Sequence, residues 1–219
     1  VANAIRERRL IAPGGRVLIA LSGGPDSVAL LLCMIELAKK RDLHFELIAA
    51  HLNHSIRGPD AEDDAAFSRK LCKKHGIELI AATSDVPALS AALKRSIEES
   101  ARIVRRAFLA AAAVRSKSEC VAVAHHADDR AETVVWNLLR GSYGAKGMRE
   151  FQSITVEGKK LEFLRPLLGI RRHDLREFLV ARNLPWREDA SNAEHFAARH
   201  RLRNDALPLL ADISPRDLV

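Results

Sequence analysis

Residues 16–27 read RVLIALSGGPDS, and the change of character within that stretch decides the architecture. Arg16 to Leu21 is too short for a helix and rich in aliphatic residues, the pattern of a buried strand. From Ser27 the run SVALLLCMIELAKK has helical spacing and helical length, so SGGPDS joins a strand end to a helix start. The first turn of a helix leaves backbone N–H groups unpaired and carries the positive end of the dipole, which favours an anion, phosphate first of all. Gly23 and Gly24 permit positive φ and close approach of a ligand, Ser22 and Ser27 add hydroxyl donors, and Pro25 loses an N–H at little cost. The loop is not a Walker A motif, because no lysine follows the last glycine and Asp26 stands near where phosphate oxygens would lie. An acid there points to Mg²⁺ between carboxylate and phosphates. Taken alone, the hexamer is read equally well as a tight turn with a capping Asp or Ser.

Working outward, the strand and helix pattern repeats. FELIAAHLNH is a second strand and DAEDDAAFSRKLCKKHG a helix stopped by Gly76. IELIAAT is a third strand, followed by an alanine-rich helix from about Leu89 to Arg115. ECVAVAHH is a fourth strand, followed by the helical DDRAETVVWNLLRG, closed by Gly141. Strands separated by helices specify right-handed crossovers and a mostly parallel sheet covered on both faces. Residues 142–160 turn glycine-rich and polar, SITVEGKKLEFL reads as a hairpin, and 142–163 is expected to serve as a lid. The close, SNAEHFAARHRLRNDALPLL, reads as an arginine-laden helix capped by Ser191 or Asn192. The expected division is a catalytic domain over 1–185 and a small helical extension over 186–219.

The 219 residues allow one good core, and 47% hydrophobic with 29% charged residues is an ordinary globular composition. No run nears the roughly 20 apolar residues of a membrane span, and VANAIRERRL lacks a signal-peptide core, so a cytoplasmic protein without a membrane partner is expected. The chain begins with Val rather than Met and reads as a processed chain or a fragment. Cys33, Cys72 and Cys120 lie far apart on apolar segments and read as reduced core residues. The net charge of +7 is concentrated: Lys94 to Lys117 holds seven basic against two acidic residues, and Arg140 to Arg172 eight against three. Two such segments suggest contact with a phosphate backbone, although solvated helix faces would look alike.

AHHADDRAET, residues 124–133, falls at the C-terminal end of the fourth strand, the ligand edge of a parallel sheet. Asp129 and Glu132 share a helix face and can hold Mg²⁺, bind an amine or take its proton; Asp128 as a plain N-cap with Glu132 as a first-turn dipole partner is the alternative. HLNHSIRG brings His51, Asn53, His54 and Arg57 to the same edge. His51, His54, His125 and His126 with nearby acids leave a metallohydrolase open as a second class, although the glycine loop has no role in it. Glu98, Arg102 and Arg105 form one helix stripe, on which Glu98 suits Arg102 and Arg105 is left to meet phosphate.

Together, SGGPDS, HLNHSIRG, EESARIVRRAFL, AHHADDRAETVVWNLLRGS, RPLLGIRRHDLREFL, WREDASN and RHRLRNDALPLL resemble, in that order, the PP-loop ATP pyrophosphatases and more narrowly the tRNA(Ile)-lysidine synthetase family. The resemblance runs from about Arg16 to Leu210. It implies a Rossmann-like, adenine nucleotide alpha hydrolase-like α/β fold with a small helical C-terminal extension. The activity it implies is ATP-dependent ligation of free lysine to carbon 2 of the first anticodon cytidine of isoleucine tRNA with anticodon CAU. The expected cofactors are ATP and Mg²⁺. By motif, Ser22, Gly23, Gly24, Pro25, Asp26, Ser27, His51 and His125 go to ATP, with Asp26 at the metal. Asp129 and Glu132 go to lysine or its deprotonation, Arg105 to the adenylated intermediate, and Arg102 and Arg199 to lysine or tRNA. The tRNA-binding domain of longer members is expected to be absent from this chain, a homodimer is left open, and tRNA thiolation is the alternative within the superfamily. No Cys-x-x-Cys pair supports the iron–sulfur thiolating branch.

Overall fold

Strand β1 (Arg16–Ala20) alternates its side chains between two cores, and the whole fold follows from that alternation. Val17 and Ile19 face a core built with α1 (Pro25–Ala38), α2 (Pro59–His75) and α6 (Arg172–Val180), while Leu18 faces a second core against α4 (Ile97–Ser116). The computed structural model describes residues 5, 11–12, 14–40, 42–56, 58–144, 146–156, 158–188 and 201–213. Its sheet has six strands in the order β3-β2-β1-β4-β6-β5. These are β2 (Glu46–Asn53), β3 (Glu78–Thr83), β4 (Cys120–Ala122), β5 (Phe151–Val156) and β6 (Lys159–Leu164) beside β1. All neighbours run parallel except β5 and β6, so the expected parallel sheet with helices on both faces is what forms. Helix α1 is apolar all round because it lies between the sheet and α6; Leu30, Leu31 and Met34 are fully buried. Truncating one of them to alanine would cost roughly 2–5 kcal/mol.

The chain leaves β1 toward β2 and β3, then returns to place β4 on the other side of β1. That reversal opens a crevice at the C-terminal ends of β1 and β4, where ligands of open α/β sheets bind. The glycine loop and the AHHADD segment both end there.

Two sequence expectations change. The alanine-rich stretch is two helices, α3 (Val86–Leu93) and α4, because Lys94 adopts φ 51° and Ser96 caps α4 by accepting the Glu99 N–H. Within the span expected as a lid, Phe151–Val156 and Lys159–Leu164 are instead strands of the sheet, since β6 pairs with β4 through Val121 and Ala122. The chain continues through Leu184–Glu188 and, at Leu202–Ala206, a π-helical turn leading into α7 (Leu207–Ile213). The expected caps Ser191 and Asn192 lie outside the described residues. No helix among them is long and apolar enough to cross a membrane.

Candidate active site at the ends of β1 and β4

Gly23 adopts φ +93°, a backbone region that favours glycine, and packs its α-carbon toward Phe67 and Ser68 of α2. The Ser27 hydroxyl is turned into the loop: it accepts the N–H groups of Ser22 (3.2 Å) and Gly23 (3.1 Å) and donates to the Gly24 carbonyl (2.9 Å). Its work in this state is to hold the loop. Among the described residues no side chain caps α1, and Val28 is the first N–H to find an intrahelical carbonyl, at Gly24. The amides of Asp26 and Ser27 therefore stand at an uncapped helix start, suited to phosphate oxygens. Beneath the loop, His51 is 3% exposed, and burial lowers its pKa, so the neutral ring donates from Nδ1 to the Leu21 carbonyl (2.9 Å). Arg187 ties the segment after α6 to this loop, its N–H donating to the Gly23 carbonyl (3.0 Å) and its guanidinium to Asp64 (2.9 Å).

Across the crevice, His126 rather than Asp128 is the N-cap of α5 (Ala127–Leu139), in a reciprocal box with Asp129. The ring is 2% exposed and sits among carboxylates: Nε2 lies 3.6 Å from Asp26 and 3.4 Å from Asp129, and Nδ1 3.4 Å from Asp128. Burial pulls its pKa down, but Asp26, Asp129 and Asp128 outweigh that and raise it. Asp128 is further held by the Arg172 N–H at 2.8 Å. Asp129 and Glu132, one helix turn apart, converge on the Arg203 guanidinium, at 3.4 and 2.5 Å, so the pair has the geometry of a cation site. Asp26 Oδ1 is buried without a hydrogen-bond partner among the described residues. A carboxylate oxygen left in that way beside a phosphate-type loop fits a hard dication such as Mg²⁺.

The preceding residue, His125, faces the opposite charge. Its Nδ1 accepts from Arg165 Nε at 3.2 Å, and its pKa is lowered to about 4 by burial, then by Arg165, Arg105, His126 and Arg102. Arg102, Arg105 and Arg106 are exposed on α4. Arg165, just past β6, is anchored by the Arg149 carbonyl (2.8 Å) and Gln152 (3.0 Å). The two basic segments of the sequence thus meet on one side of the crevice and the acids on the other.

Sequence reasoning missed His126 as the buried hub of the acids, and it missed Arg165, Arg187 and Arg203. A signal existed for His126, since it precedes an acid-rich helix start and Asp129 follows three positions on. Arg187 and Arg203 stand in the motifs WREDASN and RHRLRNDALPLL, but no local pattern points to their partners, which lie 123 and 71 positions away. Arg199 and Arg57 lie outside the described residues. His126 gathers Asp26, Asp128 and Asp129, but the four histidines do not share one cluster with acids as a metallohydrolase would need: among the described residues the one His/Asp/Glu group whose ligand atoms all lie within reach of one another is the exposed trio His173, Asp174 and Glu177 on α6. Burial pushes the thiols of Cys33 and Cys72 up to about 11 and that of Cys120 to about 12, the reverse of an activated thiolate.

Residues 2–210 match the PP-loop domain. The chain is 35% identical over 209 residues to the tRNA(Ile)-lysidine synthase of Geobacter sulfurreducens, covering 95% of this chain and 43% of that protein. It is 38% identical over 218 residues to the synthase of the same name from Dehalococcoides mccartyi, covering 98% and 46%. It therefore spans less than half the length of these curated relatives. Among solved structures, the U34-tRNA thiolase NcsA from Methanococcus maripaludis, with its [4Fe-4S] cluster, superposes with a TM-score of 0.79 at 20% identity, covering 98% of this chain and 71% of the other. At that identity the likeness speaks for the fold alone. With the glycine loop, the sheet order and the matched span in agreement, the chain belongs to the PP-loop domain family.

Proposed function

We propose that the chain carries the catalytic unit of a tRNA(Ile)-lysidine synthase, joining free lysine to carbon 2 of the first anticodon cytidine of isoleucine tRNA at the expense of ATP. The observation that carries the reading is the carboxylate pair Asp129 and Glu132, already gathered on a guanidinium, beside an uncapped helix start and its glycine loop. Such a crevice offers an anion site for ATP phosphates and a cation site for an ammonium.

The chemistry asks for both. Carbon 2 of cytosine is a poor electrophile, and its oxygen is a poor leaving group. Attack of that oxygen on the α-phosphate expels pyrophosphate and makes the oxygen part of AMP. The lysine ε-amine then adds at carbon 2, AMP departs, and the amine loses its proton. The loop amides and the arginines facing His125 would bear the negative charge that develops on the phosphates. Asp26 would hold Mg²⁺, which when bound neutralises phosphate charge. Lysine arrives as an ammonium at neutral pH, so Asp129 and Glu132 bind it and one of them accepts its proton. Arg203 would share the pair or yield it to the substrate. Arg102 and Arg105 suit the RNA and the adenylated intermediate, and a cytoplasmic setting agrees with a tRNA substrate.

Glu132→Gln and Asp129→Asn keep shape and lose charge. Calorimetry with Mg-ATP and a lysine-incorporation assay should show ATP binding retained and lysine transfer suppressed in at least one variant. Unchanged incorporation in both would refute the role.

A further inference from the structure

His125 and His126 adjoin in sequence and face opposite charges, and the arginine side carries a constraint that the acid side lacks. A guanidinium stays protonated in proteins and has no acceptor. The contact from Arg165 Nε to His125 Nδ1 at 3.2 Å is therefore a hydrogen bond of known direction, with Nδ1 accepting. The donor is itself fixed, because its two terminal nitrogens donate to the Arg149 carbonyl and Gln152 Oε1. Every nitrogen of that guanidinium is thus engaged, and the β5–β6 edge determines how the ring is held. A ring that accepts at Nδ1 carries its proton on Nε2, on the far side from Arg165.

The geometry points to Arg165 as a positioning residue that locks His125 into the neutral Nε2–H tautomer, a hydrogen-bond donor for a substrate oxyanion at the sheet's C-terminal edge. The groups facing the ring agree. Arg102 and Arg105 from α4, Arg165 from the end of β6 and the neighbouring His126 all act with burial against a second proton, so the ring does not serve as a proton donor that becomes recharged near neutral pH. A phosphate oxygen, which accepts from a neutral N–H, is the matching ligand. The inference rests on the ligation reading only for the identity of that oxyanion, since the tautomer is set without ATP, lysine or RNA.

The test is nitrogen-15 NMR of the full chain with labelled histidine, His125 being assigned by the signal lost in His125→Gln. The wild-type ring should carry its proton on Nε2 at neutral pH and remain neutral at about pH 5.5, above its pKa of about 4. Arg165→Met keeps the aliphatic stem and removes donor and charge; its ring should show mixed tautomers and titrate closer to 6.5. Saturating inorganic pyrophosphate should shift the wild-type Nε2–H signals. In turnover, His125→Gln, which retains an N–H donor, should keep more activity than His125→Ala, and Arg165→Met should cost less in the His125→Gln background than in the wild type. A wild-type proton on Nδ1, or a tautomer unmoved by Arg165→Met, overturns the proposal. Signals unmoved by pyrophosphate overturn the oxyanion. Should Arg165→Met not fold, the wild-type tautomer decides alone.

Discussion

Replacing His125 by glutamine should change how stability responds to acid. The folded ring is held at about 4 by burial and by Arg165, Arg105, His126 and Arg102, whereas an unfolded histidine titrates near 6.5. Between those values the unfolded chain binds the proton and the folded chain does not, so stability falls as pH falls through that window and is unaffected above it. At about 1.4 kcal/mol per pH unit, the window holds about 3 kcal/mol. Glutamine does not titrate, so the variant lacks this term; His51, also lowered by burial, is present in both proteins and cancels in the comparison. Urea unfolding of both proteins at pH 7.5 and 4.5 reads the difference directly. Whatever the substitution costs at the higher pH, the gap between wild type and variant should move in the variant's favour by about 2.5 kcal/mol at the lower pH, most of the window. For a chain of this length that is roughly 5–10 °C in Tm. Identical pH responses would refute the reasoning, because His125 would then bind a proton equally well in both states.

Gly23→Ala should weaken Mg-ATP binding and lower stability by about 1–3 kcal/mol, because φ +93° is strained for any side chain although Phe67 and Ser68 leave room at 3.6 Å. Unchanged melting and binding would mean the loop adopts another conformation. Arg203→Ala should lower stability by about 1–3 kcal/mol at neutral pH through loss of its partly buried pairs with Glu132 and Asp129, measured by thermal melting. An unchanged Tm would show that the π-helical turn does not rest on α5 in solution. RNA contact through the arginines near His125 should weaken with salt, log affinity falling by about 0.7 per contact per decade for a single strand, and a flat salt titration would place recognition elsewhere.

The strands and most helices were legible because hydrophobic period and turn chemistry are local. The run from Arg16 to Ser27 carries its own strand, loop and helix start, and Gly76 and Gly141 do stand where helices close, at φ +67° and +76°. The break at Lys94 was also local, since Ser96 and Glu99 form a cap signature, but alanine-rich composition on both sides masked it. The site was half legible. Sheet topology brought the glycine loop and the AHHADD segment together as strand-end logic requires. Which histidine turns inward, and which arginines cross to the acids or to His125, depends on tertiary contacts that no local pattern encodes. Ser27 illustrates the difference: its place in the glycine loop is legible in the sequence, but that its hydroxyl accepts the Ser22 and Gly23 N–H groups and donates to the Gly24 carbonyl is set by the folded geometry alone.

Incubating the chain with Mg-ATP, free lysine and an isoleucine tRNA transcript of anticodon CAU, then digesting the RNA for nucleoside mass analysis, tests the ligation itself. The first anticodon cytidine should gain one lysine with loss of one water, and AMP and pyrophosphate should appear in equal amount only when lysine and tRNA are both present. An unmodified cytidine, from a chain that binds Mg-ATP and that tRNA, would contradict the proposed ligation.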